Sequence, residues 1–162
     1  MKKTVAGIFG IAANFGLGVF FGSKWVGKQY DLHCERIEKN GDKFSDYYQV
    51  CLQWVKLRQA GKKLGDYFIN KGYRHIAVYG MNDIAHALIV ELKDSGVEVD
   101  YGIDRNADNL FLEMECYRPD ADLPTTDVCV IALPELYKEI YESLNEKLTC
   151  PIVSIEDVVW GM

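Results

Sequence analysis

Gly80-Met81-Asn82-Asp83-Ile84-Ala85 lies between an apolar run and a helical pattern, and Asp104 ends the next apolar run. These residue types in this order outline a dinucleotide-binding turn. A glycine makes the turn, amides at the start of a helix receive a phosphate, and an acid receives a ribose hydroxyl. Gly80 takes the place of the first glycine and Ala85 that of the third. Asn82 stands at the second, where a side chain keeps a pyrophosphate from lying directly on the backbone. Asp83 adds a negative charge near the same amides, and its simplest role is to cap the helix. Arg105-Asn106 after Asp104, and Leu133-Pro134 after a later apolar run, belong to the same predicted locus.

Other catalytic constellations are sparse. The three histidines, His33, His75 and His86, are scattered, and no Ser-His-Asp spacing, Cys-His pair or metal-ligand cluster stands out. Of the three, His86 is the one a turn of helix could bring to the glycine loop. Tyr67-Phe68-Ile69-Asn70-Lys71 matches the Tyr-x-x-x-Lys of short-chain dehydrogenases. It precedes the first strand instead of following the glycine loop, so it reads as coincidence. The five cysteines are odd in number, widely spaced and without Cys-x-x-Cys, which favours a reducing compartment. No catalytic residue and no metal are expected.

The elements that must position the turn follow from pattern. From Tyr73 onward, apolar strands alternate with helical stretches, the mark of a parallel sheet with crossover helices. Strands are predicted at His75–Tyr79, Glu98–Ile103, weakly at Phe111–Cys116, at Asp127–Leu133 and at Pro151–Ser154. A helix over Asp83–Ser95 turns Ile84, Leu88 and Leu92 inward. A second begins at Pro134 and buries Leu136, Ile140, Tyr141 and Leu144, and Ile155–Trp160 makes a terminal turn or short helix. Right-handed crossovers give the order 3-2-1-4-5, with a switch point between strands one and four, where ligands of such sheets bind. The fold class is therefore α/β: half of a Rossmann-like sheet, about five parallel strands with flanking helices, over residues 73–162.

Residues 31–72 read as a helical connector. Asp42 can cap a helix ending near Gly61, with Phe44, Tyr47, Tyr48, Cys51, Trp54 and Val55 on one face. A short helix follows from about Lys63 to Asn70, stopped by Gly72. The pair is expected to dock on the body or on a second copy.

Residues 1–30 hold twenty consecutive uncharged residues, Thr4–Ser23, long enough as a helix to span roughly 30 Å of bilayer. Ala6, Gly10, Asn14, Gly18 and Gly22 recur every fourth residue, a small-residue ridge of the kind that pairs membrane helices. Lys24, Lys28, Arg36 and Lys39 outweigh Lys2 and Lys3 across the span and place the body in the cytoplasm. A cleaved signal peptide and a buried helix are the competing readings. Charge divides along the chain: residues 1–63 carry 11 Lys and Arg against 5 acids, residues 64–162 carry 7 against 19, within totals of 18 and 24. The acidic body argues against nucleic acid as a partner, and the basic front suits an anionic membrane surface.

Three segments together, Val78–Ile84, Tyr101–Asn106 and Pro151–Asp157, resemble the small Rossmann-like domains of bacterial surface-polysaccharide proteins. Such domains stand at the N-terminus of sugar acyltransferases and the C-terminus of some sugar methyltransferases. The resemblance covers about Gly72 to Trp160. It implies a module that binds a nucleotide or nucleotide-sugar, NAD being the other cofactor in view, or that serves as a scaffold. Gly80 and Asp104 match its pattern and position 82 departs from it. The expected function is a membrane-tethered, non-catalytic module of glycan assembly, a binder or a docking scaffold for a partner protein. The alternatives are an NAD- or nucleotide-sugar-dependent enzyme subunit completed by another chain, and a purely structural homo-oligomer.

Overall fold

The computed structural model describes Lys28, Gly41 and residues 43–162 other than 111 and 112. The unit Lys43–Met162 is a three-layer α/β structure around a five-stranded, all-parallel sheet. Its elements are α1 (residues 43–59), α2 (Leu64–Asn70), β1 (His75–Tyr79), α3 (Asp83–Leu92), β2 (Glu98–Ile103), β3 (Cys116–Tyr117), β4 (Val128–Ile131), α4 (Tyr137–Leu144), β5 (Ile152–Ser154) and α5 (Ile155–Trp160). The strand order is β3-β2-β1-β4-β5, as the alternating pattern predicts. The weak third strand is real but lies later than expected: two residues pair with Gly102 and Ile103.

Alternation along the strands divides the core. Ile76, Val78, Val128 and Val130 face one side with Phe68, Ile84, Leu88, Ile155 and Val158. Ala77, Tyr79, Tyr101, Cys129 and Ile131 face the other with Ile140 and Leu144 of α4. All four residues of β4 are buried, the continuous apolar run a central parallel strand needs.

Two readings of helix faces are corrected. Tyr141 is 37% exposed, because a 3-10 turn (Pro134–Leu136) precedes α4 and α4 buries only Ile140 and Leu144. The aromatic stripe of α1 is two stripes. Val50, Trp54 and Leu57 are buried, and Tyr47 packs beside them. Phe44, Tyr48, Cys51 and Val55 are exposed on another face. At 100° per residue the two sets lie on different sides of the cylinder.

Among the described residues no helix is long and apolar enough to cross a membrane. The predicted span Thr4–Ser23 and the predicted cap Asp42 lie outside the described residues.

Candidate functional site

The chain leaves β1 through Gly80, whose φ of +85° is the left-handed region that glycine adopts without cost. The space a Cβ would take there belongs to Leu133, whose Cδ1 lies 2.7 Å from that position. Met81 turns its buried side chain onto Gly102 of β2, with Sδ 2.9 Å from the place of a Cβ. The two hollows that the turn and its neighbour strand could have offered a ligand are thus filled by the protein's own side chains.

The amides of Gly80, Met81, Asn82 and Ala85 are occupied, whereas those of Asp83 and Ile84 in the first turn of α3 have no hydrogen-bond partner among the described residues. Gly80 N–H donates to Ile103 O (2.8 Å) and Asn82 N–H to Gly80 O (2.8 Å). Met81 N–H donates to Asp104 Oδ2 (2.9 Å). Asn82 caps α3, its Oδ1 accepting from Ala85 N–H (2.9 Å), while His86 N–H donates to Asn82 O (3.0 Å). Capping therefore falls to Asn82 and not to Asp83, which is the exposed first residue of the helix, beside the buried Ile84. An amide side chain here does what a glycine cannot: it accepts from the helix and has two donors left for its surroundings.

Those donors close the switch point. Asn82 Nδ2 donates to Ala132 O at the end of β4 (2.7 Å) and to Tyr47 Oη of α1 (3.2 Å). Tyr47 Oη donates in turn to Glu135 Oε1 (3.4 Å), which also pairs with Lys43 Nζ (2.8 Å). Burial, then the Glu135 charge, pushes the Tyr47 phenol far above its ordinary value, so it remains a donor. Glu135 Oε2 is buried with no hydrogen-bond partner among the described residues. Pro134 opens the 3-10 turn that carries Glu135. Tyr47 and Glu135 are the residues that sequence reasoning missed; Tyr47 stands 35 residues from Asn82 and 88 from Glu135, separations that no local spacing records.

Asp104 faces the turn and not a free ribose pocket. Besides Met81 N–H on Oδ2, it accepts Asn106 N–H on Oδ1 (2.8 Å). Asn106 Oδ1 accepts from Asn109 Nδ2 (2.7 Å) in the 3-10 turn after β2. Arg105 points elsewhere, into a crevice of about 300 Å³ beside Tyr79. The structure brings Gly80, Met81, Asn82, Asp104 and Leu133 together, as the pattern predicts, but as a sealed joint.

No family model, curated protein or solved structure matches this chain.

Two further features lie toward the amino ends of the strands. A groove of about 760 Å³ runs between α3 and the start of β2, lined in part by His86, Val90, Lys93 and Val99. His86 therefore faces away from the glycine loop. Beside the groove, ligand atoms of His75, Glu98 and Asp100 lie within 4.8 Å of one another, the one such group among the described residues that could hold a cation. The register of β1 on β2 slips between Ile76 and Ala77, so Asp100 is the extra residue of a bulge and reaches His75 Nδ1 (2.9 Å). The hydrogen bond and charge of Asp100 raise the His75 pKa.

Proposed function

We infer that the chain is a docking module: a Rossmann-like body that presents α1 to a second copy of itself, tethered at a membrane by its N-terminal segment and without catalysis of its own. The observation that carries this reading is the second apolar stripe of α1. Phe44 is 76%, Tyr48 62% and Val55 52% exposed, with Cys51 between them also exposed. Steps of four, three and four residues keep these side chains in one narrow seam, the spacing by which helices pair with helices. Exposed apolar residues in a continuous patch mark interaction surfaces, whereas scattered single ones do not.

The closed switch point supports the same reading from the opposite direction. A pyrophosphate on the turn would compete with Asn82 Nδ2, Leu133 and Tyr47 for one space. The resemblance to polysaccharide-assembly domains supports a role in bacterial glycan assembly, and the excess of Lys and Arg after the N-terminal segment supports a body on the cytoplasmic side of the membrane.

A crosslinking experiment tests the pairing. Full-length protein in membranes, treated with a short bis-maleimide, is expected to give a dimer through Cys51. Cys51→Ser removes the crosslink, and Val55→Glu removes it while leaving the monomer folded. A monomer at every concentration, or a dimer indifferent to Val55→Glu, sinks the reading.

A further inference from the structure

We propose that the crevice between the carboxyl ends of β1–β3 and α4 binds a small phosphate ester with a hydroxylated body about the size of a monosaccharide. The proposal is independent of the α1 seam and lies on the other face of the sheet from Asn82 and Tyr47.

Cations from three separate connections line this crevice: Arg105 after β2, Arg118 after β3 and Lys147 after α4. Two of them make contacts of their own at the surface. Arg118 donates through Nη1 to Asp108 (3.2 Å) and through Nε to Asp120 (3.3 Å), and Lys147 Nζ donates to Pro119 O (2.7 Å). Arg105 makes no ion pair or side-chain hydrogen bond among the described residues, so its whole guanidinium fork is available. Guanidinium forks match the spacing of phosphate oxygens.

The second observation is in the floor. Tyr79 is only 5% exposed, yet it lines the crevice and its hydroxyl makes no hydrogen bond among the described residues. The ring is buried while the oxygen stays accessible, so it is free to donate to a ligand in the crevice. Burial raises its pKa above the ordinary value although the Arg105 charge acts in the other direction, so the hydroxyl stays a donor. Tyr79 and Arg105 line the same crevice.

The rest of the lining sets the ligand class. Glu139 and Ser143 of α4 also face the crevice, as does Asp120, which pairs with Arg118; the three cations still outnumber the two carboxylates, and the Glu139 carboxylate accepts hydroxyl donors while repelling a second anionic group. One phosphate end and one hydroxyl-bearing end answer this arrangement. The volume of about 300 Å³ lies at the small end of ligand pockets, too little for a whole dinucleotide. The location, beyond the carboxyl ends of parallel strands, is where open α/β sheets take their ligands.

Calorimetric titration of the full-length protein in detergent tests this, with glucose 1-phosphate, glucose 6-phosphate, inorganic phosphate and glucose as probes. At least one sugar phosphate is expected to bind saturably and more tightly than inorganic phosphate, glucose should give no heat, and added salt should weaken binding. Arg105→Gln is expected to weaken binding by about tenfold or more, as loss of a charged hydrogen bond does, without moving the thermal midpoint. Tyr79→Phe keeps the packing and removes only the donor, and is expected to weaken binding several-fold. Absence of saturable binding by both sugar phosphates, equal affinity for inorganic phosphate, or indifference to both substitutions would overturn the proposal.

Discussion

At the scale of single residues, the turn at Gly80 shows how one position can be read correctly for shape and misread for chemistry. Its positive φ was foreseeable from a glycine between strand and helix; the Leu133 side chain lying over it was not. Gly72 provides a control, since its φ is +81° but nothing lies within 4 Å of a Cβ there. Gly72→Ala should cost about 1 kcal/mol of backbone strain, and Gly80→Ala clearly more, because strain and the clash with Leu133 add. Urea denaturation of the two variants measures the difference, and equal costs would mean that the hollow beside Gly80 is not filled. His75 gives a second residue-scale prediction. Asp100 raises its folded pKa above the ordinary value near 6.5. The pair's contribution to stability is therefore complete below that ordinary value and disappears as pH rises through the higher folded value. An NMR titration should place the His75 midpoint above 6.5, and Asp100→Asn should lower it; an unmoved midpoint would remove the ion pair.

At the scale of elements, one carboxylate of α3 ties both α1 and α2 to it. Glu91 of α3 accepts from Trp54 Nε1 of α1 (2.5 Å) and from Leu64 N–H at the start of α2 (2.9 Å), with Arg58 close by (3.5 Å). Leu64 N–H is one of the orphan donors of a helix start, so a side chain from another helix supplies what a local cap does not. Glu91→Ala strands two part-buried donors and should cost about 2–4 kcal/mol, read by urea denaturation. Glu91→Gln, which retains an acceptor, should recover part of the loss; no difference between the two would show that the hydrogen bonds contribute little. The two stripes of α1 belong to this scale as well. Aromatic and apolar residues at 44, 47, 48, 51, 54 and 55 read as one broad face, and only the packing of Val50, Trp54 and Leu57 divides them into a buried side and a free one. The pattern shows that α1 is amphipathic; which apolar residues meet the body depends on where the sheet lies.

At the scale of the whole molecule, the carboxyl end of the sheet is closed on one side and open on the other. Asn82, Tyr47, Glu135 and Leu133 fill the switch point, whereas Tyr79, Arg105, Arg118 and Lys147 border a crevice under α4. NAD is accordingly expected to produce no thermal shift, since Leu133 and the hydrogen-bonded Asn82 side chain stand where its pyrophosphate would lie; a saturable shift lost in Asp104→Ala would contradict the closed joint. By itself the sequence determined the α/β class, the strand order and nearly all of the element positions. Those depend on local periodicity, on turn residues such as Gly80 and Gly72, and on the handedness of crossovers, all carried by neighbouring residues. It also marked Gly80, Asn82, Asp104 and Leu133 as meeting in space, because strand ends in a parallel sheet must meet. Only the tertiary structure decided what happens there. Whether a hydrogen-bonding group faces a ligand or another part of the chain depends on partners far away in sequence, such as Ala132 and Tyr47 for Asn82, or Met81 for Asp104. The turn has the residues of a phosphate site and the hydrogen bonds of a joint, and long-range packing separates the two.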